Sequence, residues 1–89
     1  MEIDLQARNE ARQLLRQLSK RESEIATILT EGLSNKVAAQ RLGLSVRTVE
    51  MHRGNALAKL GLRNILELTA LWRTADIDPG MNESRGFNG

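Results

Sequence analysis

Apolar residues recur at three- and four-residue spacings almost throughout the chain, the spacing of amphipathic helices. Ala7, Ala11, Leu14 and Leu18, with Leu15 beside them, mark one face of a helix over residues 3–17. In "LSKRESEIATILTEG", Ser19 followed by Glu22 fits a capping box, Ile25, Ile28 and Leu29 give the inner face, and Gly32 supplies the stop. Leu18, just before that cap, is placed to staple against an apolar residue one turn in. "LSNKVAAQRLG" follows after almost no loop, with Ser34 as its cap and Val37, Ala38, Ala39 and Leu42 apolar. Ser45 then caps a helix whose inner face is Val49, Ala56 and Leu60, with Leu57 at its edge, and Gly61 ends it. Asn64 followed by Glu67 starts a last helix, apolar on more than one side: Ile65, Leu68 and Trp72 on one, Leu66 and Ala70 on another. The sole proline, Pro79, lies beyond these elements. The pattern predicts an all-α chain. Residues 1–17 form a linker helix, 18–75 a four-helix domain, and the Gly-rich residues 76–89 a disordered tail.

Two of these helices flank a tight turn, "RLGLS". A short helix, a turn holding glycine and a longer helix is the helix-turn-helix pattern. The small Ala38 and Ala39 let the first of the pair pack close to its neighbour. On the longer helix, at about 100° per residue, Arg47, Met51, Gly54 and Ala58 lie opposite the inner face. Glu50 and Asn55 stand at the two margins of that outward face. Gly54 is unusual there, since an interior glycine costs a helix about 1 kcal/mol relative to alanine.

Composition narrows the chemistry. With 89 residues there is room for one domain, and with one Phe, one Trp and no Tyr its core must be aliphatic. The absence of cysteine removes disulfides and thiolate metal sites, and a single histidine builds neither a zinc site nor a Ser-His-Asp arrangement. No nucleophile-base pair, paired carboxylate site or Gly-rich phosphate loop is present, so an enzyme is not expected, nor is any cofactor. No apolar run approaches the ~20 residues of a membrane span, and the N-terminus lacks a signal-peptide pattern. These absences point to a soluble cytoplasmic protein. The net charge of +2 hides a gradient: residues 19–75 carry nine Lys or Arg against five Glu. That basic excess permits a nucleic-acid partner without identifying one. On the first helix Arg8, Arg12 and Arg16 form a basic stripe. The stripe reads as a solvated face, a coiled-coil-like linker or an arm near phosphates.

The segments "LSKRESEI", "GLSNKVAAQRLGLS" and "TVEMHRGNALAKLGLRN" closely resemble the C-terminal DNA-binding domain of LuxR-type (NarL/FixJ) response regulators. The likeness covers roughly residues 18–72, and "TVEMHRGN" looks most like the FixJ branch. Glu22, Asn35, Lys36, Asn55 and Lys59 are among the matching positions. The resemblance implies a four-helix transcription-regulator domain. Its third helix, about 46–60, enters the major groove of double-stranded DNA, and its fourth carries a homodimer contact. It also implies an upstream receiver or sensor domain, joined through a linker like residues 3–17. The family usually has a polar residue and then Ile where this chain has Val37 and Ala38, and commonly Arg where it has Ile65. Region 4 of sigma factors is similar in pattern too. A promoter-binding domain of that kind and a helix-turn-helix protein-interaction module are therefore the alternatives.

A helix that enters a groove about 12 Å wide needs a slim outward face, and Gly54 would leave room. Glu50 would repel phosphates unless it accepts a hydrogen bond, and cytosine N4 is the available donor. Met51 could touch a thymine methyl, and Arg47 could reach base edges from the first turn. These four are the candidate base readers. For phosphates the candidates are Lys36 and Asn35 at a helix N-terminus, Thr48, and Arg53, which the wheel turns inward but whose length allows it to snorkel out. For the dimer contact the candidates are Ile65, Leu68 and Trp72, with Leu66 and Ala70 as the other side.

Overall fold

The computed structural model describes residues 4–76, which form five helices and no strand. They are α1 (Leu5–Leu15), α2 (Lys20–Thr30), α3 (Asn35–Leu42), α4 (Val46–Leu60) and α5 (Ile65–Asp76). The expected tail lies outside the described residues except for Asp76, which belongs to α5.

Local chemistry sets the boundaries. α1 starts later than expected, because the Asp4 carboxylate accepts from the backbone N–H groups of Gln6 at 3.1 Å and Ala7 at 3.0 Å. Ser19 and Glu22 form the full reciprocal capping box. Ser34 and Ser45 cap α3 and α4 by accepting from Val37 and Thr48. The last cap departs from the pattern. Asn64 accepts from Glu67 N–H, but the Glu67 carboxylate reaches back to the N–H of Arg63, at 2.7 Å. In the helix-turn-helix turn, Gly43 adopts φ +69°, a left-handed conformation natural to glycine. That lets Leu44 N–H return to the Ala39 carbonyl at 2.9 Å and drops Leu44 onto the core.

Two apolar clusters share α2. Ile25, Ile28 and Leu29 pack with Ala38, Ala39 and Val49, so α2, α3 and α4 are locked together. The second cluster centres on Ala26, Leu60 and Leu68, with Leu14, Leu15 and Leu18 packed over it. Leu18 thus joins the tertiary core; one turn into α2 stands Ser23, so no local staple forms. Ala38 has no exposed surface, so the small residue is fully packed in the first cluster. Full burial of side chains the size of Ile25, Val49 and Leu68 stabilises by about 1.5–3 kcal/mol each.

Candidate nucleic-acid interface

The inner face of α4 is Val49, Ala56 and Leu60, all buried. This orientation leaves Arg47, Glu50, Met51, Gly54, Asn55 and Ala58 exposed. Met51 is 53% exposed. The four sequence-predicted base readers therefore lie on one outward surface.

Gly54 has an ordinary helical backbone, and a Cβ built on it would meet nothing within 4 Å. Neither packing nor backbone conformation inside the chain calls for glycine there.

The predicted phosphate group divides. Lys36 is exposed in the first turn of α3. Asn35 and Arg53 come together, lining a surface cavity of about 320 Å³ with Leu29, Ser34 and Ile65. The Arg53 Nε is buried with no hydrogen-bond partner. Among the described residues no acidic side chain lines this recess, which opens at the N-terminal end of α3. Thr48 is half-buried and bound into the α4 cap, its hydroxyl accepting from Ser45 at 2.9 Å.

The predicted dimer face divides. Leu68 is 1% exposed in the second cluster and has no surface to offer a second copy. Ile65 and Trp72 pack against that same core. The outer side of α5 carries Leu66, 78% exposed, and Ala70.

One polar centre has no counterpart in the sequence reading. Glu22 is buried, and its Oε1 accepts from both the Ser19 N–H and the Lys59 Nζ, each at 2.8 Å. Burial alone pushes the Glu22 carboxyl up. The Lys59 and Ser19 hydrogen bonds, with the Lys59 charge, outweigh it and bring it below its ordinary value. Capping accounted for Glu22 locally, and nothing in the residue pattern signalled a partner 37 positions away.

A capped helix pair around a glycine turn, with the second helix held by one face and bare on the other, defines a helix-turn-helix domain. Residues 16–72 match the profile of the family described as "Bacterial regulatory proteins, luxR family". The chain belongs to that family. It is 50% identical over 50 residues to the C4-dicarboxylate transport transcriptional regulatory protein DctR of Rhodobacter capsulatus, over 56% of this chain and 25% of that protein. It is 37% identical over 73 residues to the transcriptional regulatory protein FixJ of Azorhizobium caulinodans, over 82% of this chain and 35% of that one. The crystal structure of full-length FixJ from B. japonicum superposes with a TM-score of 0.72 at 32% identity, over 78% of this chain and 34% of that one. The chain thus spans a quarter to about a third of the length of these relatives.

Proposed function

We propose that this domain binds double-stranded DNA sequence-specifically in the cytoplasm, with α4 in the major groove. Arg47, Glu50, Met51 and Gly54 face the base edges. Lys36, together with Asn35 and Arg53 in the α3 recess, takes phosphates, and Thr48 lies beside them. The observation that carries this reading is the outward surface of α4. It combines exposed donors, an acceptor and Met51 with a glycine that internal packing does not require.

A second copy pairs through the outer side of α5, at Leu66 and Ala70. Two copies would then read half-sites about one DNA turn apart. An upstream receiver or sensor domain would reach this one through α1.

Selection of bound sequences from random duplex DNA, followed by a salt series on the selected site, tests the reading. Enrichment of a two-part site is expected, with affinity falling steeply as salt rises. No binding to any duplex at low salt, with a protein partner retained instead, would overturn it in favour of a protein-interaction module.

A further inference from the structure

The Lys59 Nζ sits between two acceptors from the start of the domain. It lies 2.8 Å from the Glu22 carboxylate and 3.5 Å from the Gln17 carbonyl oxygen. Glu22 also holds the Ser19 N–H, so the α1–α2 junction, the first turn of α2 and the last turn of α4 meet at one carboxylate. Glu22 is 5% exposed, and the Lys59 side chain 43%.

The pair is buried only on the Glu22 side, and it contributes little net stability, because desolvation of the carboxylate offsets the attraction and solvent screens the ammonium. It does differ from an apolar pair in being directional. The Glu22 carboxylate is held by burial and by the Ser19 N–H, so the Lys59 ammonium, with the Gln17 carbonyl as its other acceptor, is tied to one spot at the α1–α2 junction although its own stem is flexible. Val49 secures the N-terminal half of α4 in the first cluster. Leu60 packs the other end against Ala26 of α2, Lys59 ties that end to the Glu22 carboxylate, and a 15-residue helix behaves as a rod about 22 Å long. A slide along the axis at Lys59 therefore carries Arg47, Glu50 and Met51 with it, while a tilt about Val49 displaces Gly54 and Ala58 most. Hydrogen bonds to base edges fade over a few tenths of an ångström.

We propose that Glu22 and Lys59 are positioning residues for DNA reading, which set the height and tilt of α4 relative to the α1–α2 junction. This rests on the DNA-binding reading above. The pair governs discrimination between sites more than attraction to DNA.

The test compares Glu22→Gln, Lys59→Arg and the double variant Glu22→Gln with Lys59→Met, all in the full chain. Affinity is measured for the selected duplex and for an unrelated duplex across a salt series, with circular dichroism confirming the fold. Glu22→Gln should lose tenfold or more on the selected site and nothing on the unrelated one. Lys59→Arg should retain most of the selected-site affinity. The double variant leaves no uncompensated buried charge, so it carries the comparison should Glu22→Gln fail to fold; it should lose selected-site affinity with an unchanged salt slope. Selected-site affinity equal to wild type in a folded variant overturns the proposal. So does tighter binding by Glu22→Gln, together with a salt slope shallower by about one in the double variant. That result would make Lys59 a phosphate contact restrained by Glu22. Failure of the wild-type chain to bind any duplex is a separate result, and it would strike the DNA reading itself.

Discussion

The Arg12 Nε donates to the Ala75 carbonyl oxygen at 2.6 Å, fastening α1 to the last turn of α5. Ala11 and Ala75 are both buried, and Leu14 and Leu15 continue over the cluster that holds Leu71 and Trp72. α1 is therefore a packed part of the domain. Arg12→Ala should lower unfolding stability by about 1–2 kcal/mol, the loss of one charge-assisted bond to a backbone carbonyl. Trp72, the sole tryptophan, reports the change directly. Urea denaturation followed by its fluorescence should show an earlier midpoint, with α1 and the rest of the domain unfolding together. An unshifted midpoint would mean that the bond contributes nothing in solution.

Gly54→Ala should move stability and DNA affinity in opposite directions. The backbone there is helical and the space around it open, so alanine adds about 1 kcal/mol of helix propensity without a clash inside the chain. On DNA, the added methyl stands where the groove should approach closest. A higher thermal midpoint with weaker binding to the selected site is expected. Equal affinity in both proteins would remove Gly54 from the interface.

The caps and stops made the helices legible. Ser19 with Glu22, Ser34, Ser45 and the glycines at 32, 43 and 61 carry their meaning within a few residues. The outward face of α4 was legible for the same reason, because helical period alone separates Val49 from Arg47 and Met51. α5 was not, because both its sides are apolar and period cannot say which one the rest of the chain covers. The answer depends on α1 and α2, which meet α5 only through tertiary packing, and they take Leu68 and Trp72. Arg12 was hidden likewise, since a stripe of arginines reads as a solvated face until a neighbouring helix end supplies a carbonyl.

Glu22 should give the domain an identifiable acid sensitivity. Its carboxyl lies below its ordinary value of 4.5 in the folded protein. A depressed carboxyl contributes stability that is fully present above the unfolded value. That contribution is lost as pH falls through the folded value. The urea midpoint should therefore fall between about pH 6 and about pH 3, and fall less in Glu22→Gln. Other carboxylates titrate in that window as well, so the difference between the two proteins is the quantity to compare. Parallel curves would show that the Lys59 contact does not persist in solution.

The two leucines of α5 should separate folding from association. Leu68→Ala removes a buried side chain from the second cluster and should destabilise by about 2–5 kcal/mol. Leu66→Glu alters a residue that is 78% exposed and should leave stability within about 0.5 kcal/mol. If the outer side of α5 pairs, Leu66→Glu should abolish cooperative filling of a two-half-site duplex while keeping affinity for a single half-site. Undiminished cooperativity would place the pairing surface elsewhere.

Lys36 and Glu50 should differ in kind when each is changed. Lys36 is an exposed cation in the first turn of α3, and a phosphate contact carries no sequence information. Lys36→Ala should weaken every duplex about equally and make the salt slope shallower by about one. Glu50 is an exposed acid among cations, a poor residue for attraction but a suitable acceptor for cytosine N4. Glu50→Gln keeps its length and removes its charge, so it should bind unrelated DNA slightly better. Its selected sequences should change at one position per half-site, with the wild-type base losing about 1–3 kcal/mol of discrimination there. Repeating the random-duplex selection with both variants gives the readout. A changed base preference in Lys36→Ala, or an unchanged one in Glu50→Gln, would exchange or remove the roles assigned to them.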